Sequence, residues 1–262
     1  MPTRYDPILG ELVSVDPSIE EVKKLINGFM KQDGSNYVGD LTLVTPTITA
    51  TWTIKDKNNN TIKTDNSTSI SVEKGAKVDF KGTFKYSAPS NIQKAPTRCD
   101  GSFGTTLPAA GSSSSEITSQ GITTTRSFTV NLYANKSGLI VKNNKVLAAT
   151  GEDSTSATAS VTYKHMLYYG ASSNASVDVK TLTPELVTSR SKTITFNCSG
   201  GKYFYIAYPT ELGKATFNIG GLTVGIDPTS TSITNEYGEK IDYYIYRSAD
   251  LQTGSAIKVI IS

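Results

Sequence analysis

From about residue 37 onward the apolar side chains of this chain fall on every second position. TITATWTIKD puts Ile48, Ala50, Trp52 and Ile54 on one side with threonines between them, and VDFKGTFKY does the same with Val78, Phe80 and Phe84. Successive side chains of an extended strand point to opposite faces, so this period of two predicts half-buried antiparallel strands. SFTVNLYA repeats the pattern through Phe128, Val130 and Leu132, and TASVTYKHMLYY through Ala159, Val161, Tyr163 and Leu167. GLIVKNNKVLAA reads as two apolar runs joined by an Asn-Asn turn. Short strands with turn signals at these intervals predict a β-sandwich. DKNNN, between two strands, matches the first oxygen positions of a calcium loop at Asp56, Asn58 and Asn60. Thr61 stands where such a loop needs glycine, and Ser67 where it needs a bidentate Glu. An Asn-rich hairpin turn is the better reading.

After Tyr169-Gly170 a second β-unit is expected. KTITFNCSGGKYFYIAYP is a strand, a Ser-Gly-Gly turn and an aromatic strand; ATFNIGGLTVG bends at Gly-Gly; KIDYYIYR carries Tyr243, Ile245 and Arg247 on one face and Tyr244 and Tyr246 on the other. An apolar strand from Ile257 to Ile261 ends the sequence. Between Tyr86 and Arg126 the sequence is poor in large apolar residues and rich in Ser, Thr, Gly and Pro, so 87–125 is expected to be a long loop.

Residues 1–34 follow another rule. DPSIEEVKKLINGFMKQDG places Ile19, Val22, Leu25, Ile26, Phe29 and Met30 at helical spacing, with Lys23, Lys24 and Lys31 elsewhere around the helix. Ser18 with Glu21 makes a capping-box pattern, Asp16 before Pro17 is an alternative cap, and Asp33-Gly34 supplies a stop. One amphipathic helix from Ser18 to Gln32 is predicted. Ahead of it, RYDPILG places Tyr5, Ile8 and Leu9 in a segment too short to bury them, with Pro7 interrupting any regular ladder or helix. The expected architecture is therefore all-β: two antiparallel β-sandwich domains, 35–166 and 167–262, preceded by an N-terminal peptide and one helix in 1–34.

Composition supports strands whose outer faces are hydroxylic. Apolar residues make up 37% of the 262 and charged residues only 19%, with 14 tyrosines. The net charge of +3 is spread without a run of Lys or Arg, which argues against nucleic acid as a partner. No stretch approaches the ~20 apolar residues of a membrane span, and the start of the chain has no basic segment followed by an apolar one, so folding in a cytosol is expected. Cys99 and Cys198 are then free thiols, with Cys198 in the apolar alternation of Ile194 and Phe196.

Little catalytic chemistry is legible. The single histidine, His165, follows Val161 and Tyr163 in register and reads as a packed or edge residue. No GxSxG elbow, P-loop or GxGxxG fingerprint occurs, and one His with two distant Cys cannot assemble a zinc site of those ligands within one chain. No cofactor and no enzymatic activity are expected. A carboxylate pair for cleaving polysaccharide has no positive signal in the sequence. The tyrosine-rich strands could offer aromatic faces to sugar rings, although alternating tyrosines more often serve as core and edge packing.

Two stretches resemble proteins of one group. RYDPILGELV, over Tyr5 to Leu12, resembles the short N-terminal leader of structural proteins of tailed bacteriophages, particularly those of gut Bacteroidales and crAss-like phages. The match ends at Val13 and Ser14, where that leader usually carries charge. The last third, with LYYG, SRSKTITFNCSGGKYFYIAYPTELG, TFNIGGLTVG and YYIYRSADLQTGSAIKVIIS, resembles a β-module at the C-termini of fibre, neck and tail proteins of such phages.

The resemblance implies a virion structural protein, a head or tail fibre or neck accessory made in the bacterial cytoplasm. Its partners would be capsid, portal, neck or tail proteins. The implied anchor is Tyr5, Asp6, Pro7, Ile8, Leu9, Gly10 and Leu12. Burying Tyr5, Ile8 and Leu9 in a neighbour would contribute on the order of 5 kcal/mol before ordering costs, so linked copies would bind much better than one. Ile19, Val22, Leu25, Ile26 and Phe29 would then join copies into a homo-oligomer or pack the helix beneath the first sandwich, the apolar stripe being wide enough for either. Fibres commonly trimerise, although no long heptad seam is present here. The alternative reading is a lectin-like receptor binder whose C-terminal module recognises a glycan of the bacterial surface.

Overall fold

The computed structural model describes residues 41–90, 93–113, 115–136 and 150–262 in full. Elsewhere it describes the backbone of the strands Thr3–Asp6, Glu11–Ser14, Gln32–Asp33, Ser35–Val38, Leu139–Lys142 and Lys145–Ala148. The protein is all-β, built from several mostly antiparallel sheets. Among the described residues helical structure is confined to two 3-10 turns, Val179–Thr181 and Thr210–Leu212. The helix expected over 18–32 lies outside the described residues as far as residue 31. Its expected end is corrected, because Gln32–Asp33 is a strand paired with Ser35–Val38. Asp-Gly is as good a hairpin signal as a helix stop, and here the strand context decides.

The chain divides into two compact units. One comprises Met1–Thr47, Phe84–Ser115 and Thr129–Ala157; the other comprises Ile48–Thr83, Glu116–Phe128 and Thr158–Ser262. The boundary expected between 166 and 167 falls inside a single strand of 21 residues, Glu152–Ser172.

In the first unit, Thr3–Asp6 pairs antiparallel with Glu11–Ser14, in a sheet that among the described residues holds those two strands. Leu139–Lys142 pairs with Lys145–Ala148 across the expected Asn-Asn connection, and on its other side with Ser35–Val38. The segment 87–125, expected as a loop, is corrected: it contains the strands Gln93–Lys94 and Arg98–Gly101, and also Ser115–Ile122, which from Glu116 onward belongs to the second unit. Ser115–Ile122 is hydroxyl-rich because it alternates between half-buried and exposed positions, so composition alone did not reveal it. Arg98–Gly101 pairs with residues 130–133, which buries Cys99 opposite Leu132. Phe84 and Phe103 meet edge to face at 5.4 Å.

The second unit holds most of the core. Thr47–Lys55 shows the predicted alternation, with Ile48, Ala50, Trp52 and Ile54 buried, and hairpins onto Thr61–Asp65. The DKNNN turn closes as an Asx turn, the Asp56 carboxylate accepting from the backbone N–H of Asn58 and Asn60 while Asn59 takes a positive φ of 67°. Trp52, Phe80 and Phe128 form one aromatic cluster, Phe80 lying 4.4 Å from Trp52 and 4.0 Å from Phe128 between ring centroids.

Towards the C-terminus, Tyr203–Pro209 is central, pairing on one side with Glu152–Ser172 and on the other with Lys240–Arg247, which in turn pairs with Thr229–Thr234. A second layer runs in the order Lys192–Phe196, Ile257–Ile261, Phe217–Ile219, Leu222–Val224. The two layers share a core in which Ile194, Phe196, Phe217, Val259 and Ile261 meet Phe204, Ile206, Tyr208 and Tyr246. The other face of the central strands is covered as well, with Tyr205, Ala207 and Tyr243 packed against Val179, Leu182 and Ile233. Both faces being covered explains why six of the seven residues of YFYIAYP are buried and why that strand is aromatic rather than alternating. The Ser-Gly-Gly turn is thus no hairpin; it carries the chain from one layer to the other, since Lys192–Phe196 pairs with Ile257–Ile261.

Candidate functional site

Of the expected anchor, Tyr5, Asp6 and Leu12 lie in the paired ribbon, with Tyr5 opposite Leu12 and Asp6 opposite Glu11. Pro7, Ile8, Leu9 and Gly10 connect the two strands and lie outside the described residues. So do Ile19, Val22, Leu25, Ile26 and Phe29. The strand ends at Asp6, immediately before the proline that cannot continue a ladder.

Two further places in the second unit concentrate polar side chains. The first is internal. In SISVE, residues 69–73, alternation would put Glu73 outward with Ser69 and Ser71, yet Glu73 is only 4% exposed. The strand pairs in parallel with Glu152–Ser172, Glu73 opposite Lys164, and the chain around Asn235 closes over its end. Asn235 donates from Nδ2 to the Lys74 carbonyl at 2.9 Å, and its amide favours the charged form of the Glu73 carboxyl. Oε1 of Glu73 and the hydroxyl of Tyr243 have no partner among the described residues. Burial pushes the Glu73 carboxyl up to about 7, with Glu236 adding to the rise and Asn235 and Lys180 opposing it. Burial likewise drives the Tyr243 phenol far above its ordinary range.

Beside this cluster, Glu211 lies between His165 and Lys74. His165 Nδ1 is 2.8 Å from its Oε1 and Lys74 Nζ 3.0 Å from its Oε2. Burial lowers the His165 pKa and outweighs the pull of Glu211, so this imidazole is a packed neutral group, as its register predicted. Among the described residues no group of three or more His, Cys, Asp and Glu is placed to hold a metal ion, and no helix is long and apolar enough to cross a membrane.

The second place is open to solvent. Arg247 ends the strand Lys240–Arg247 on the face of Tyr243 and Ile245, and Asp227 lies in the connection after Leu222–Val224. Both residues line two clefts, of about 500 and 330 Å³. The larger is walled by Ile219, Ile226, Ser248 and Gln252, the smaller by Val177, Tyr205 and Thr229. The Arg247 guanidinium sits 4.7 Å from the Tyr203 ring centroid and donates through Nη1 to the Ala175 carbonyl, so its plane is fixed. The Tyr205 hydroxyl donates to the Asn174 carbonyl at 2.6 Å.

The tyrosines do not form an exposed platform. Tyr205, Tyr208, Tyr243 and Tyr246 are buried, whereas Tyr203 and Tyr244 are half-buried. This is the core and edge packing that alternation more often means. The sequence reading placed Arg247 on the face it occupies but gave it no role. Asp227 and Glu73 carried no local signal, because their surroundings come from segments distant in the chain. Comparison with protein-family models, with curated proteins and with solved structures gives no match.

Proposed function

We propose that this chain is a structural component of a bacteriophage virion, docked through its first residues to a neighbouring virion protein and presenting two β-sandwiches as a head or tail fibre or neck accessory. The observation that carries the reading is the N-terminal ribbon. Thr3–Asp6 and Glu11–Ser14 hydrogen-bond to each other and, among the described residues, to no other strand. A two-stranded ribbon alone is marginal in water, so it gains from a surface to lie on, and its outer edges can add to a sheet. Its connection is Pro7, Ile8, Leu9 and Gly10, the apolar and proline-stiffened part of the sequence that resembles a phage leader. Prior pairing of the strands reduces the ordering cost of docking. The all-β body and the resemblance of residues 167–262 to a C-terminal module of fibre, neck and tail proteins support the same reading.

The test is co-sedimentation of the full chain, and of a version lacking residues 1–14, with empty phage particles. The full chain should pellet with particles and the truncated one stay in solution. Equal binding by both removes the anchor; binding by neither removes the virion assignment.

A further inference from the structure

We propose that the paired clefts about Arg247 and Asp227 form a binding site for a neutral oligosaccharide. The inference goes beyond attachment to a particle and does not depend on it. Both residues line both clefts, so the two hollows adjoin along one Arg–Asp line. Each has a volume within the range of small-ligand sites.

The two charged groups are presented differently. Arg247 is held by the Tyr203 ring and the Ala175 carbonyl, which leaves donors of its five-donor fork for a ligand at little entropic cost. Asp227 is exposed and, among the described residues, has neither an ion pair nor a hydrogen bond to its carboxylate. No salt bridge joins Asp227 to Arg247, although they share a lining. A fixed fork of donors and an unoccupied pair of acceptors in one groove match a ligand that carries both donors and acceptors on neighbouring atoms. Vicinal hydroxyls of a sugar do so.

The remaining walls narrow the class. Asp250 joins Asp227 in the larger cleft, so carboxylates outnumber the one guanidinium and an acidic ligand is opposed. Ile219 and Ile226 are half-buried there and offer an apolar surface to the C–H face of a pyranose ring, while Gln252 adds an amide that both donates and accepts. Two adjoining clefts suit consecutive sugar units rather than a single one.

The experiment is saturation-transfer NMR on the full chain, backed by calorimetric titration, with gluco-, manno- and galacto-oligosaccharides of about six units and oligogalacturonate as the acidic counterpart. At least one neutral series should bind, oligogalacturonate should bind more weakly, and Asp227→Asn and Arg247→Lys should each lose about tenfold or more in affinity. Asp227 is exposed and unpaired, so its variant keeps the fold, checked by unchanged Trp52 fluorescence. Absence of binding across the neutral panel, preference for oligogalacturonate, or undiminished binding by Asp227→Asn overturns the site. No particles are present, so failure here leaves the particle-docking proposal untouched, and failure to bind particles leaves this one untouched.

Discussion

Glu73→Gln should make the second unit more stable at neutral and alkaline pH and leave it nearly unchanged in mild acid. Glu73 is 4% exposed with Oε1 unpartnered among the described residues, and the groups bearing on it are Asn235, Glu236, Lys180, Tyr168, Tyr237 and Tyr243. Burial and Glu236 favour the acid, whereas Asn235 and the Lys180 ammonium favour the carboxylate and only partly offset them. The carboxyl titrates near 7 in the folded protein against an ordinary 4.5. Between those values the folded state holds a proton that the unfolded state has released. Stability is therefore fully present below about pH 4.5, falls as pH rises towards about 7, and is level above. At ~1.4 kcal/mol per pH unit, the loss across the whole window is about 3–4 kcal/mol, of which about 2–3 kcal/mol falls above pH 5.

A glutamine keeps the shape of the protonated acid and cannot ionise, so its variant should lack this loss. The assay is equilibrium urea unfolding followed by fluorescence of Trp52, the chain's one tryptophan, which is fully buried in the same unit. It is run at about pH 5 and about pH 8. His165 contributes with the opposite sign, because its depressed pKa costs stability as pH falls. That contribution is common to both proteins and cancels in their difference. The variant's advantage should grow by about 2–3 kcal/mol from the acidic to the alkaline condition. A difference that stays constant with pH refutes the argument.

Three further outcomes follow from packing and backbone geometry. Phe80→Ala should cost about 3–5 kcal/mol in urea unfolding, because Phe80 is 2% exposed and lies between Trp52 and Phe128; a loss under about 1 kcal/mol would mean the ring does not fill that space. Gly101→Ala should lower the melting temperature far more than Gly111→Ala. Both glycines have positive φ, but a Cβ on Gly101 would stand 2.2 Å from the Thr129 carbonyl oxygen whereas Gly111 faces open space; equal losses in calorimetry would remove the steric account. Cys99 and Cys198 are both buried with thiol pKa values raised by burial, so neither should react promptly with a disulfide reagent in the native protein, and both should react after denaturation.

How much of this was legible in sequence depends on how local the cause is. The alternations around Trp52, Phe80, Phe128 and Val161, the Asp56 turn, and the burial of Cys198 rest on side-chain period and turn chemistry, and the structure has them as read. Ser115–Ile122 was missed because a strand with one solvated, hydroxyl-rich face differs little in composition from a loop, and Arg98–Gly101 because four residues with one buried side chain show no period. Of the candidate sites, the front of the chain stood out by its apolar content, whereas the cleft did not, since Asp227 and Arg247 are ordinary residues until their segments meet.

The amino-acid order by itself determined an all-β protein, because a period of two permits burial only in extended strands and Gly, Asn and Asp set where those strands reverse. It did not determine which strands pair. Ser69–Glu73 lies parallel to Glu152–Ser172, and Lys192–Phe196 skips its sequence neighbour to pair with Ile257–Ile261. Those choices depend on covering both faces of the central strands at once, and only the tertiary structure settles them. The same closure turns Glu73 inward against its alternation and brings Asp227 beside Arg247. Both environments are sums over distant segments, which no local period encodes.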